Sequence, residues 1–228
     1  MTGTLYGVGV GPGDPELLTL KALRLIRESQ VIAVPGASVT ETVAYKIVKQ
    51  AYPALDEKEL IGLEMPMTKD AKLLKESHDR AAAAVEECLR AGKDVAFLTL
   101  GDPTVYSTYL YVHKRVEADG FPVEIISGIT SFCAVAARMN MGLVEKAQPL
   151  HVIPASYQIQ DALKLSGTKV LMKAGRKMGE VKRQLLEQPG EVVMIENCGM
   201  EEERCYRGAE EIPEEAGYYS LIIVKEEL

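Results

Sequence analysis

Along the first half of the chain, short apolar blocks alternate with spaced apolar stripes. Residues 4–11 are mostly apolar and predict a buried strand. Asp14 follows as a cap residue, with Pro15 at the first helical position and Glu16 in the first turn. Leu17, Leu18, Leu20, Ala22, Leu23, Leu25 and Ile26 make that helix broadly apolar, so it is expected to pack on a sheet. Residues 31–34 read as a strand stopped by Pro35-Gly36. A helix over 41–50 and a strand over 60–63 come next. Residues 70–91 carry a long helical pattern ending at Gly92. A strand over 95–100, a helix over 106–118, a strand over 123–126 and a helix over 131–139 complete this half.

The order β-α-β-α implies a mostly parallel sheet with helices on both faces. Such sheets bind ligands at the carboxyl ends of their strands, where the glycine-rich turns of this half fall. The second half differs. Strands are expected over 151–154, 169–173, 192–196 and 219–224, and helices over 158–165 and 178–186. An acidic loop joins the last two strands, which predicts a mixed sheet. The fold class is α/β in two domains, 1–128 and 129–228.

Composition narrows the function. The chain has 228 residues, 47% hydrophobic and 26% charged, so it is globular in usage. The net charge of −7 argues against non-specific nucleic-acid binding. No apolar run reaches the ~18 residues that span a bilayer, and no signal peptide is read at the start, so a cytoplasmic protein is expected. Cys88, Cys133, Cys198 and Cys205 form no CxxC pair, and His78, His113 and His151 are scattered, so neither a metal site nor a disulfide framework is expected. Charge is uneven in the second half. Lys164, Lys169, Lys173, Arg176, Lys177, Lys182 and Arg183 face one acid, Glu180. The plain reading is a solvated face. The sharper one is a cleft border that attracts an anion.

Three turns carry candidate chemistry. Gly7-Val8-Gly9-Val10-Gly11-Pro12-Gly13-Asp14 follows the first strand, and glycines let a ligand approach the backbone. The dinucleotide pattern G-x-G-x-x-G fails in both frames, at Pro12 and at Asp14. The ribose acid is also missing, since Val34-Pro35-Gly36 stands there, and no G-K-[ST] frame exists for a phosphate loop. Leu98-Thr99-Leu100-Gly101-Asp102-Pro103-Thr104-Val105-Tyr106 is the second turn, where Asp102 before Pro103 also suits a helix cap. Ser127-Gly128-Ile129-Thr130-Ser131 is the third.

Taken together these segments resemble the tetrapyrrole (uroporphyrinogen/corrin) methylases. Gly7 to Thr19 stands for the family's GxGxGD…LLT motif, Gly101-Asp102-Pro103 for its GDP, and Gly128 to Ser131 for its PGIT, with Ser127 in place of proline. Val170-Leu171-Met172-Lys173 and Glu196-Asn197-Cys198-Gly199 match segments of its second half, and the match continues through Arg204 to Gly208. Residues 101–108 and 127–134 resemble the branch that methylates C20 of precorrin-2, or of its cobalt form, in cobalamin synthesis.

The resemblance implies two α/β domains, S-adenosylmethionine as cofactor in a cleft between them, S-adenosylhomocysteine as product, and a homodimer. Cofactor contacts are carried over to Pro12, Leu100, Gly101, Asp102, Val105, Tyr106, Thr130 and Ser131, and to Met172 and Asn197 in the second half. Asp102 is a candidate partner for the cofactor's ammonium, and Tyr106 for a wall of its pocket. The substrate carries eight carboxylates, which makes Lys173, Arg176 and Lys177 candidate substrate contacts. The uroporphyrinogen-methylating members carry an Asp after the second strand and Gly-Lys-Arg after the third. Here Val34-Pro35 and Leu63-Glu64-Met65 stand there, which argues against that step and removes the obvious acid–base pair. No catalytic residue is assigned. Tyr109, Tyr111, His113 and Arg138 lie near the motifs and read as structural or surface groups. The alternatives are another ring carbon, a protein acceptor as in diphthamide synthesis, or a cofactor-binding module without catalysis.

Overall fold

A computed structural model describes residues 1–154 and 159–226, the side chain of Arg176 excepted. The described chain divides into two compact units, Met1–Thr130 and Ser131–Leu228.

The first unit is a parallel sheet. Its strands are β1 (Leu5–Gly9), β2 (Val31–Pro35), β3 (Glu59–Leu63), β4 (Val95–Thr99) and β5 (Val123–Ile126), in the order β3-β2-β4-β1-β5. Strand alternation sorts the side chains to two faces. Ile32 and Val34 join Val8, Ala96 and Leu98 against α1 (Leu20–Glu28) and α2 (Val43–Ala51). Val31 and Ala33 join Leu5, Val95 and Phe97 against α3 (Ala71–Arg90) and α4 (Tyr109–Ala118). Both faces are buried, which is why the strands read as continuous apolar blocks.

Local chemistry sets the helix ends. Asp70 Oδ1 accepts the amides of Lys72 at 2.9 Å and Leu73 at 3.1 Å and so starts α3. At its far end Lys93 N donates to Cys88 O and Gly92 N to Leu89 O, the paired bonds of a Schellman close. The same pair recurs after α4, from Phe121 N to Val116 O and from Gly120 N to Glu117 O.

The helix expected from Pro15 is two elements. A 3-10 turn, Pro15–Leu17, is capped by Asp14, and α1 begins afresh with Thr19 as its cap. Leu20 is therefore a first-turn residue and is exposed, not packed. The helix expected from Tyr106 starts at Tyr109. The intervening residues form an irregular turn, so Asp102 caps that turn and not a helix.

The second unit opens with α5 (Ser131–Arg138). Its sheet holds β6 (Leu150–Pro154), β7 (Thr168–Met172), β8 (Glu191–Glu196), β9 (Arg204–Arg207) and β10 (Ser220–Lys225), ordered β6-β7-β10-β8-β9. Only β6 and β7 are parallel; the other pairs are antiparallel. α6 (Ile159–Leu163) and α7 (Met178–Leu185) cover one face and α5 the other. β9 was not expected. It is a short strand with three exposed residues at the sheet edge, and it carries no apolar alternation. Part of the helix expected over 158–165 lies outside the described residues.

Candidate active site

Three turns leave the carboxyl edge of the parallel sheet and meet in main-chain contact. Val10 N donates to Thr99 O at 2.9 Å, Gly101 N to Gly11 O at 2.8 Å, and Gly11 N to Gly101 O at 3.3 Å. The Gly11–Gly101 pair is an antiparallel bridge set at the end of two parallel strands.

The glycines serve this approach. A Cβ on Gly9 would stand 2.5 Å from Gly128 N and 2.7 Å from Gly101 O, and one on Gly128 would stand 2.2 Å from Gly101 O. A real Cβ does not tolerate such contacts, so the turns close only if both positions lack one. Gly7 plays a different part. Its missing Cβ leaves room for the Tyr109 ring, whose Cε1 and Cζ would lie 2.1 Å from it.

Asp102 locks the second turn to the third. Oδ1 accepts the Thr104 amide at 2.8 Å and the Thr104 hydroxyl at 2.5 Å, and Oδ2 accepts the Gly128 amide at 2.9 Å. The residue is 8% exposed. Three of a carboxylate's roughly four acceptor positions are thus filled from within the chain. Pro12 and Gly101 are buried beside this lock, Leu100 and Val105 are half-buried, and Tyr106 is 48% exposed. Tyr106 has φ 49, a region that non-glycine residues enter rarely and that favours functional sites.

Two hydroxyls at this edge, Thr99 Oγ1 and Thr130 Oγ1, are buried without a hydrogen-bond partner among the described residues. An orphaned buried hydroxyl costs free energy unless something satisfies it. Thr99 was not singled out from the sequence. Its signal was a lone polar residue closing the apolar run Val95-Ala96-Phe97-Leu98.

In the second unit the candidate residues gather at one end of the sheet. Met172 closes β7 and Asn197 follows β8, the two strands that flank β10. Lys173 and Asn197 both have left-handed backbones, φ 61 and φ 52. Asn197 N donates to Tyr219 O at 2.9 Å, and its Nδ2 donates to Glu202 O at 3.3 Å. The Lys173 ammonium lies 6.0 Å from the centre of the Tyr218 ring. Burial, with Tyr218 beside it, pushes the Tyr219 phenol up. Ser220 begins β10 at this end, and its buried Oγ also lacks a partner among the described residues. Ser131 is the first residue of α5.

The basic stretch is not one surface. Lys169 is buried and paired with Glu226 at 2.9 Å, and Lys164 pairs with Asp161 at 3.1 Å. Lys177 is exposed in the 3-10 turn Gly175–Lys177, which also holds the Arg176 backbone; the Arg176 side chain lies outside the described residues. The polar groups read as structural are engaged in packing. Tyr109 is fully buried with its hydroxyl 2.8 Å from His113 Nδ1, Tyr111 stacks on His78 at 4.4 Å, and Arg138 pairs with Glu203 at 2.6 Å. No cluster of three or more His, Cys, Asp or Glu suited to a metal ion exists among the described residues, and no described helix is long and apolar enough to cross a membrane.

The comparisons with known proteins agree with one another. The family profile Tetrapyrrole (Corrin/Porphyrin) Methylases matches residues 4–212. The probable cobalt-precorrin-2 C(20)-methyltransferase of Methanocaldococcus jannaschii is 39% identical over 170 residues, covering 74% of this chain and 71% of that protein. The cobalt-precorrin-2 C(20)-methyltransferase of Salmonella typhimurium is 31% identical, covering 100% of this chain and 98% of its own. Among solved structures, a uroporphyrin-III C-methyltransferase from Thermus thermophilus, in complex with S-adenosylhomocysteine, superposes with a TM-score of 0.73 at 25% identity, covering 98% of both chains.

Proposed function

The chain belongs to the tetrapyrrole (corrin/porphyrin) methylase family, and from that premise we propose that it methylates precorrin-2, metal-free or as its cobalt form, at C20 in cobalamin biosynthesis. It is an S-adenosylmethionine-dependent methyltransferase. The observation that carries the reading is the convergence of three main-chain turns, locked by Asp102, beside buried hydroxyls that lack partners among the described residues.

The residues fit the cofactor. Thr99 and Thr130 offer hydroxyls that nothing within the described chain satisfies, and the turns bring main-chain groups of 100–106 to the same edge. S-adenosylmethionine supplies a methyl group already activated on a sulfonium. The chain's task is then to hold donor and acceptor in line. In this reading Pro12, Leu100, Gly101, Val105, Tyr106, Thr130 and Ser131 line the cofactor site. Asp102 acts chiefly by holding two turns together, with one acceptor position left for a donor on the ligand. Met172 and Asn197 are carried over from the resemblance as further cofactor contacts, and Ser220 lies at the same end of their own sheet. Lys173, Arg176 and Lys177 meet the carboxylates of the tetrapyrrole. The assembly is a cytoplasmic homodimer.

The choice of acceptor rests on a departure on the β3–β2 side of the same carboxyl edge. Pro35 pairs with Leu63 in register, and Gly36 N donates to Leu63 O at 2.8 Å. An apolar main-chain seam stands where uroporphyrinogen-methylating relatives carry their Asp and Gly-Lys-Arg, which favours a later acceptor.

Mass spectrometry of the tetrapyrrole after anaerobic incubation tests this directly. Metal-free precorrin-2 and its cobalt form are run side by side with S-adenosylmethionine. One added methyl, located at C20 by isotopic labelling, is the expected result, and the faster acceptor assigns the branch. Cofactor binding with no methyl added to either acceptor would move the protein to another acceptor or to a non-catalytic role.

A further inference from the structure

We propose that Tyr109, backed by His113, is a positioning residue for the turn 100–108; the proposal rests on the cofactor reading above. This turn is held firmly at its near end by the Gly11–Gly101 bridge and the Asp102 lock. Its far end has no comparable clamp from capping. α4 begins at Tyr109, and the residue before it, Thr108, makes no side-chain cap bond.

The far end is held by a ring. Tyr109 is fully buried, and its ring fills the space that Gly7 of β1 leaves by lacking a Cβ. The same ring lies tilted on Phe97 of β4, with centroids 5.3 Å apart. One side chain therefore touches both strands whose ends carry the glycine bridge. The Tyr109 amide donates to Ser107 Oγ at 3.1 Å, which ties the last residues of the turn to the plug. One helical turn on, His113 Nδ1 lies 2.8 Å from the tyrosine hydroxyl, which donates to it when the imidazole proton is on Nε2. That bond fixes how the ring is seated.

Between two fixed ends, Tyr106 is held at φ 49. A side-chain-bearing residue persists there only when its surroundings over-determine it. Freeing the far end lets Tyr106 relax to an ordinary conformation, and the turn loses its preorganisation for ligand. Tyr109 acts through the turn and is not assigned to the set of cofactor contacts.

The test compares the full-length parent with Tyr109→Leu, Tyr109→Phe and His113→Ala. Calorimetry gives the Kd for S-adenosylhomocysteine, steady-state assays separate kcat and KM for each substrate, and thermal unfolding follows stability. Tyr109→Leu is expected to raise the cofactor Kd and KM about tenfold or more while the tetrapyrrole KM stays within about twofold. Tyr109→Phe and His113→Ala keep the plug and lose the hydroxyl bond, so each raises the cofactor Kd about threefold. Gly7→Ala displaces the ring, and adding it to Tyr109→Leu costs no further affinity because both act on one contact. A Tyr109→Leu protein that melts earlier yet keeps its cofactor Kd within about twofold would show the ring to be core alone. If that variant does not fold, unchanged cofactor Kd in both Tyr109→Phe and His113→Ala overturns the proposal. A parent that binds no S-adenosylhomocysteine overturns the cofactor reading itself, which the calorimetry registers before any variant is made.

Discussion

Asp102 shows how a residue read as a ligand contact becomes a clasp. Its carboxylate receives Thr104 twice and Gly128 once, so Asp102→Ala takes the acceptor from three donors on two turns. Hydrogen bonds to a charged group are worth about 1.5–3 kcal/mol each, and their loss is not additive, so a destabilisation of about 3 kcal/mol is expected in denaturant unfolding. Cofactor affinity falls with it. Asp102→Asn keeps the shape but leaves one acceptor oxygen, so in either seating its amide nitrogen faces a main-chain N–H, that of Thr104 or of Gly128, and one of the two turns is released; a smaller loss than in Asp102→Ala follows. Lys177 offers the contrasting case of an exposed cation. Lys177→Ala should weaken tetrapyrrole binding about two- to fivefold, the worth of one exposed ion pair, with cofactor Kd unchanged in titration. Unchanged tetrapyrrole affinity would return it to the solvated face. The turn motifs were legible because their residue types are unusual. The orphaned hydroxyls of Thr99 and Ser220 were not, since a missing partner is a property of packing and no spacing reports it.

At the scale of elements, caps were legible where side chain and backbone speak to each other locally. Asp70 was readable as the start of α3 and caps it through two amides; Asp70→Ala should cost about 1 kcal/mol in thermal unfolding. Tyr106 misled, because a helix-compatible residue is held outside the helix by contacts distant in sequence. β9 escaped for the opposite reason, since an edge strand with exposed side chains leaves no stripe. In the second unit, Glu226 joins the end of β10 to the start of β7. The Gly167 amide first, and then the Lys169 ammonium, hold its carboxyl below the ordinary carboxylate range. A carboxylate depressed in the folded state adds stability that is complete above its unfolded pKa, about 4.3 for glutamate, and is lost as pH falls through the lower folded value. Glu226→Gln is therefore expected to be less stable than the parent at neutral pH. The two melting temperatures should converge in acid; a constant gap across that window would remove the linkage.

For the whole molecule, two units with separate cores raise the matter of what ties their fates together. A ligand that binds only the folded state stabilises by RT ln(1 + [L]/Kd), about 2.7 kcal/mol at one hundred times Kd. S-adenosylhomocysteine at that excess should raise the melting temperature accordingly. If both units contribute contacts, both shift; stabilisation of only one of two transitions would confine the cofactor to that unit. Architecture was legible from the sequence because the inner parallel strands β1, β2 and β4 are buried on both faces and each crossover is a helix with its own stripe. The division between units was harder to read, since the chain passes from Thr130 to the helix at Ser131 with no Pro- or Gly-rich linker to mark it. The clasped glycines bear on how such proteins are sorted. Gly9 and Gly128 are required by the close approach of neighbouring main chain, and Gly101 by its left-handed backbone at φ 71, and not by any methyl acceptor. A search pattern keyed to them therefore retrieves the scaffold and is blind to the product; a classifier of specificity has to weight the seam at Pro35 and Leu63 and the residues between the glycines instead.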